Sequence, residues 1–301
     1  MGNLTGKVAI VTGAGQGLGR EEALQLAHQG ARVVINDIDL PAAKEAAQKT
    51  AADIVAIGGE ALVVLGDCAD SSDSDRLFKV TLDAFGDMNI LVNNAGFTRD
   101  KTIYGISDDE FDSVVRVHLR GHFVNMRNAA KYWREKAKAG PIYGRLISTS
   151  SEAALFASPG QPNYGPAKSG IINLSMSVAQ LLQKLGVTCN VIMPRGRTAM
   201  TENMPHAALF EKPAAGFDVF DPANVAPVVG YLASPEAGHI SGEVFVVWGG
   251  RVNIVQRPRL DVFYDNPKGG KWDLGDLHVT LAQYFTEKHR SVVDGYSVPP
   301  Q

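Results

Sequence analysis

Through its first 250 residues the chain alternates short β-branched runs with longer amphipathic stretches, and this alternation restricts the fold more than any other feature. Lys7–Val11 reads as a strand and Leu18–Gln29 as a helix; Arg32–Ile35 is a strand, and Pro41–Ile57 a helix with proline in its first turn. Ala61–Leu65 is a third strand, followed by a helix near Ser72–Phe85, the apolar run Ile90–Val92 and a long helix over Asp108–Lys138. Arg145–Ser148, Ile171–Leu185, Val187–Ile192 and Val244–Val247 continue the series. Strand–helix units of this length lay each strand parallel to the last through right-handed crossovers, with helices covering both faces. The expected fold is therefore α/β: a doubly wound parallel sheet of the Rossmann type. It forms a single domain over 1–250, with Val244–Val247 as an open sheet edge.

Beyond Gly250 the character changes. Residues 251–301 are rich in turn signals, such as Asn266-Pro267-Lys268-Gly269-Gly270, around one helix-like segment near Leu274–Lys288. So short a piece cannot hold its own core. Trp272, Leu274, Leu277, Leu281 and Phe285 supply apolar anchors, so the segment is expected to be an extension packed on the domain or on a neighbouring subunit. Net charge is −3 without a Lys/Arg run, which argues against a nucleic-acid partner. Cys68 and Cys189 are too few for a disulfide framework and sit in apolar stretches, as core cysteines do. No His/Cys/Asp/Glu group has metal-ligand spacing, so no metal is expected. No stretch approaches the roughly 18 apolar residues of a membrane span, and the expected location is cytoplasmic.

Thr12-Gly13-Ala14-Gly15-Gln16-Gly17-Leu18-Gly19 joins the first strand to the first helix. A glycine pattern alone is a weak signal; between strand and helix it is informative. Gly13 permits a tight turn, Gly17 lets a pyrophosphate approach the backbone, and Gly19 allows close helix packing. The helix N-terminus then presents free N–H groups to phosphate. Gly13, Gln16, Gly17, Leu18 and Gly19 are the candidate contacts. Asp37 ends the second strand, where a carboxylate accepts hydrogen bonds from a ribose hydroxyl and repels a 2′-phosphate. The cofactor expected is NAD rather than NADP.

Tyr164 and Lys168 stand four apart on one helical face. A phenol near pKa ~10 is too weakly acidic to act as a base at neutral pH, and a nearby ammonium favours its ionised form. Tyr164 would then exchange a proton with a substrate oxygen while Ser151, thirteen residues earlier, holds that oxygen. Pro166 lies in the same helix, so the helix is expected to start near Pro162 or Asn163. A Tyr-x-x-x-Lys pair is common on helices; the order of glycine loop, Asp37, Ser151, Tyr164 and Lys168 on successive βα units is not.

Those motifs, with the Asn-Asn-Ala-Gly turn at 93–96, resemble the short-chain dehydrogenase/reductase family over roughly residues 4–250. The resemblance implies that Asp67 and Cys68 line an adenine and that Asn94, Ala95 and Gly96 brace the sheet beside the ribose. It gives Lys168 the nicotinamide ribose and Thr198 the carboxamide, although this chain has Pro194-Arg195-Gly196 where the family usually has Pro-Gly. The family's catalytic Asn on the long helix falls at His118, in Val-His-Leu-Arg-Gly. That string is similar to the (3R)-hydroxyacyl-CoA dehydrogenase domain of peroxisomal multifunctional enzymes and bacterial relatives, and implies that His118 holds a water on a proton path to Lys168. It also implies a homodimer or homotetramer built on helices around 108–138 and 161–185.

The expected activity is hydride transfer between NAD and a secondary alcohol or ketone, with a 3-hydroxyacyl thioester as first choice. A steroid, a polyol or an acyl-carrier-protein thioester keeps the chemistry and changes the substrate; a non-catalytic dinucleotide sensor keeps only the fold. Ala199–Gly216, the substrate loop by resemblance, is mostly Ala, Pro, Met and Phe and suits a substrate with an apolar portion. Tyr132 and Trp133 are expected to be packing residues, and Glu152 to face solvent or an adjacent loop.

Overall fold

The computed structural model describes residues 4–202, 207–256, 262–266 and 268–288. The strands are β1 (Val8–Thr12), β2 (Arg32–Asp37), β3 (Ala61–Leu65), β4 (Ile90–Asn93), β5 (Gly144–Thr149), β6 (Val187–Pro194), β7 (Val244–Trp248) and β8 (Arg251–Ile254). They form one sheet in the order β3-β2-β1-β4-β5-β6-β7-β8. Strands β1 to β7 pair in parallel, and β8 pairs antiparallel to β7, with Phe245 opposite Ile254 and Trp248 opposite Arg251. The expectation that Val244–Val247 is the open edge is thus corrected. The chain turns at Gly249, which has a positive φ of 51°, and lays residues 251–254 against the ladder of β7. An unpaired strand of four buried residues would otherwise offer its N–H and C=O groups to other chains.

Burial on both faces explains why the central strands read as continuous apolar runs. In β1, Ala9 and Val11 enter one core, with Leu26 of α1 (Gly17–His28), Ile54 of α2 (Pro41–Ala56) and Val229. Ile10 points the other way, toward Leu77 of α3 (Ser71–Phe85), and that second core also holds Trp133 and Leu182. Trp133 is fully buried and donates its indole N–H to Met88 O at 3.0 Å.

The long helix expected over Asp108–Lys138 is present but not regular. A capping box between Ser107 and Glu110 starts α4 (Asp108–Val115); a π-helical turn, Arg116–Arg120, follows; α5 (Gly121–Lys136) completes it. Next come α6 (Tyr164–Leu182), α7 (Ala199–Glu202) and α8 (Ala226–Ala233). Helix α8 had no counterpart in the sequence reading: eight largely apolar residues are too few to display a helical period.

The chain divides into two compact units, Met1–Val255 and Gln256–Gln301. The second contains α9 (Leu274–Lys288), where the tail was expected to be helical, and Leu274, Leu277, Leu281 and Phe285 line one groove with His278. Among the described residues no helix is long and apolar enough to cross a membrane.

Candidate active site

The strand order reverses between β1 and β4, both of which leave the sheet at the same end, and a crevice opens there. Gly13 turns the chain out of β1 with φ 64°; a Cβ on it would lie 2.8 Å from Ala95 Cα. One on Gly19 would fall 2.4 Å from Gly13 O and 2.5 Å from Asn94 Nδ2, so Gly19 packs the helix rather than lining the crevice. Asn94 holds the assembly together: its Nδ2 donates to Thr12 O at 3.1 Å and Gly13 O at 3.2 Å, and its N–H to Thr12 Oγ1 at 3.0 Å. Helix α1 begins without a side-chain cap from Gln16 and, among the described residues, without an acid in its first turn. Its leading N–H groups and positive dipole end therefore stand ready for an anion.

A cleft of about 680 Å³ runs from this loop. Gly13, Gln16, Gly17, Leu18, Asp37, Asp67, Cys68, Asn94, Ala95, Gly96 and Thr198 all line it, which gathers the expected dinucleotide contacts on one surface, Gly19, Tyr164 and Lys168 excepted. Asp37 accepts from Gly15 N–H at 2.9 Å and Ile38 N–H at 2.8 Å, so the end of β2 is tied to the glycine loop. Asp67 pairs with Arg116 at 2.7 Å, and burial pushes the Cys68 thiol up to about 12, leaving it neutral. Thr198 lies over Gly17, its methyl 3.4 Å from where a Cβ there would stand. Ile38, Leu40, Phe97 and Val117 add apolar wall that the sequence reading did not identify.

Helix α6 starts at Tyr164, with Asn163 Oδ1 accepting its N–H at 2.7 Å. Pro166 is thus the third helical residue, where an N–H would have no intrahelical partner in any case. Asn163 Nδ2 donates to Arg99 O at 3.0 Å and Glu110 O at 3.2 Å, fixing the entry to the helix against two neighbouring segments. Lys168 is buried, donates to Thr149 O at 2.7 Å and lies 5.4 Å from the centre of the Tyr164 ring. Burial lowers the Lys168 ammonium to about 7. The same burial raises the Tyr164 phenol to about 12; a hydrogen bond with Ser151 pulls it down, and the charge of Asp100 raises it. The expected depression of the phenol by Lys168 does not hold in the protein alone. Desolvation is the largest influence on the phenol, and the Lys168 ammonium is directed at Thr149 O instead.

His118 joins this group to the cleft. It sits on the π turn, fully buried, and meets the Tyr164 ring edge-on with centroids 5.1 Å apart. Its ring fills the space beside Gly96, where a Cβ would stand 2.0 Å from Cε1. Nε2 lies 2.7 Å from Phe97 O and 3.2 Å from Phe97 N, within reach of an acceptor and a donor, and Nδ1 is buried with no partner among the described residues. Burial first, then the Lys168 charge, hold His118 well below its usual pKa, so it is neutral. His122, one turn on, directs Nδ1 at His118 O at 2.6 Å; burial lowers it to about 3.

Glu152 does not face solvent. It is buried and forms a two-pronged ion pair with the buried Arg195, Nη2 to Oε1 at 2.7 Å and Nε to Oε2. Nothing local in the sequence marks this pair, whose members are 43 residues apart.

The profile of the short chain dehydrogenase family matches residues 7–208. The hydroxyacyl-CoA dehydrogenase ChsB1 of Mycobacterium tuberculosis is 44% identical over 287 residues, covering 94% of this chain and 90% of that protein. The peroxisomal multifunctional enzyme type 2 of Drosophila melanogaster is 37% identical over 85% of this chain, which spans 42% of that longer enzyme. The crystal structure of a short chain dehydrogenase from Mycobacterium avium superposes with a TM-score of 0.86 at 39% identity, over 98% of this chain and 99% of that one.

Proposed function

The chain belongs to the short chain dehydrogenase family, oxidoreductases that act on CH–OH groups with a nicotinamide dinucleotide, and from that premise we propose that it oxidises 3-hydroxyacyl-CoA thioesters with NAD. The observation that carries the reading is the grouping of Ser151, Tyr164 and Lys168 behind the Gly96–Phe97 wall of a dinucleotide-sized cleft, with His118 bridging the two. Support for NAD comes from Asp37, whose carboxylate lines the cleft where a 2′-phosphate would have to sit. Support for the thioester comes from the similarity to the mycobacterial hydroxyacyl-CoA dehydrogenase, which extends over both chains almost end to end.

The glycine loop and the α1 N-terminus would hold the pyrophosphate, Asp37 the adenosine ribose, Asp67 and Cys68 the adenine side, and Thr198 the far end of the cofactor. When bound, the oxidised nicotinamide supplies the hydride acceptor and a positive charge beside the phenol. Ser151 Oγ donates to the substrate oxygen and orients its carbon. Tyr164, as the phenolate that this positive charge favours, would take the hydroxyl proton while the hydride goes to the nicotinamide, leaving a ketone. Lys168 would hold the nicotinamide ribose. His118, neutral and with its Nδ1 unpartnered among the described residues, would hold a water on the proton's way out. We also infer a homodimer or homotetramer through α4–α5 and α6, where Phe123 and Leu181 leave apolar surface exposed.

The test is NADH absorbance with purified protein on a panel of 3-hydroxyacyl-CoA thioesters, acyl-carrier-protein thioesters, hydroxysteroids and polyols. Turnover of the CoA thioesters with NAD is expected. Turnover confined to another class would overturn the substrate, and faster turnover with NADP would overturn the cofactor.

A further inference from the structure

Ser151 acts only if its hydroxyl is held where the substrate oxygen arrives, and its own chain segment is short. It opens a single 3-10 turn, Glu152–Ala154, and accepts the Ala153 N–H at 3.2 Å. One side of that turn rests on α6: Ser169 Oγ donates to Ala154 O at 3.0 Å, and Gly165 approaches Ala153 O so closely that a Cβ would lie 3.1 Å away. The other side is anchored by Glu152, the one charged residue of the turn, through its pair with Arg195. Arg195 is in turn immobilised. It follows directly on the last residue of β6, donates its backbone N–H to Val247 O at 2.9 Å, and stacks its guanidinium 4.1 Å from the centre of the Trp248 ring, with Arg251 at 5.3 Å from the same ring.

A buried ion pair is a poor source of stability, because desolvation offsets most of the attraction. What two parallel hydrogen bonds between a planar guanidinium and a carboxylate supply is a fixed distance and angle. We propose that Glu152, locked by Arg195, is a positioning residue: the pair ties the turn bearing Ser151 to the end of β6 and sets where the Ser151 hydroxyl stands relative to Tyr164. The inference rests on the reading of Ser151 as the group that binds the substrate oxygen.

The experiment is a double-mutant cycle in turnover. Glu152→Ala should lower kcat about tenfold or more, the scale of a misplacement of about 1 Å, with the KM for NAD little changed. In a Ser151→Ala background the same substitution should cost nothing further, because the group it positions is gone; a merely structural defect would lower both backgrounds alike. Should Glu152→Ala fail to fold, Glu152→Gln and Arg195→Lys carry the test. Each keeps one hydrogen bond while loosening the two-pronged geometry, so each should lower kcat several-fold with Ser151 present and leave it unchanged without it. Equal losses in both backgrounds, or turnover within twofold of the parent in the first, overturn the proposal. If Ser151→Ala alone leaves kcat unchanged, it is the reading of Ser151 that fails, and the strut loses its role with it.

Discussion

Substituting Asp37 separates the cofactors most cleanly. Its carboxylate does two things: it accepts the Gly15 N–H at 2.9 Å, and it lines the cleft at the end of β2. Asp37→Ala removes a charge-assisted acceptor from the ribose, worth about 2 kcal/mol or roughly 30-fold in NAD affinity. For NADP the same change removes a repulsion. A carboxylate about 4 Å from a phosphate of charge about −2 costs on the order of 2 kcal/mol even at the dielectric constant of water. Loosening the glycine loop weakens both cofactors equally and cancels in their ratio. The preference for NAD should therefore fall by about 10² to 10³. Asp37→Asn, which keeps an acceptor for Gly15 but not the charge, should fall between. Fluorescence titration of NADH and NADPH against the three proteins measures the ratio. A wild type that prefers NADPH, or a ratio that moves less than threefold in Asp37→Ala, refutes the reasoning.

Three further outcomes can be checked. Gly96→Ala places a methyl 2.0 Å from His118 Cε1, and the ring is pinned between Phe97 O and Tyr164; a loss of about 2–4 kcal/mol and of turnover is expected. In thermal melts Gly96→Ala/His118→Ala should be more stable than Gly96→Ala alone, and failure of that relief would remove the steric explanation. Glu22 is fully buried, its carboxyl raised to about 8 from 4.5 by desolvation. The folded chain then keeps a proton that the unfolded chain releases, so this group costs stability increasingly as pH rises from about 4.5 to 8. Glu22→Gln should stabilise by roughly 2–3 kcal/mol at pH 7 and by nothing near pH 4; an equal gain at both would disprove the linkage. Finally, ending the chain after Val255 keeps β8 and should leave a folded domain that binds NAD, while ending it after Gly250 bares β7 and should lower Tm and promote association. For the longer truncation product, an unchanged oligomer mass in light scattering together with an unchanged substrate KM would show residues 256–301 to be dispensable.

Legibility in the sequence followed the range over which the determining interaction acts. Strands β1, β2 and β4 to β7 were readable because burial on both faces makes each a local apolar run, β3 because its half-buried residues are still all apolar, and the cofactor wall because backbone approach demands glycine at fixed places in the loop. The register that sets Gly13 against Ala95 and Gly19 against Asn94 needs β1 beside β4, yet the residue types alone carried it, since no other side chain fits. Strand β8 was not readable: Arg251–Ile254 is exposed throughout and becomes a strand only because β7 offers it a ladder. The π turn at Arg116–Arg120 lies in a segment whose composition is ordinary helix; it becomes visible where His118 must pack against Gly96 and Tyr164.

The ionisation of Tyr164 and Lys168 shows the same division from the side of energetics. Spacing alone placed Lys168 beside Tyr164 and implied a lowered phenol pKa, because spacing reports charges and not the dielectric around them. Burial moves both groups toward their neutral forms, the phenol to about 12 and the ammonium to about 7. The folded chain contributes placement: a serine held on a short turn between α6 and β6, a phenol edge-on to a neutral histidine, and a lysine aimed at Thr149 O. In the proposed reaction, a positive charge arriving with the oxidised cofactor would favour the phenolate, so turnover would draw on cofactor binding for the ionisation that burial opposes.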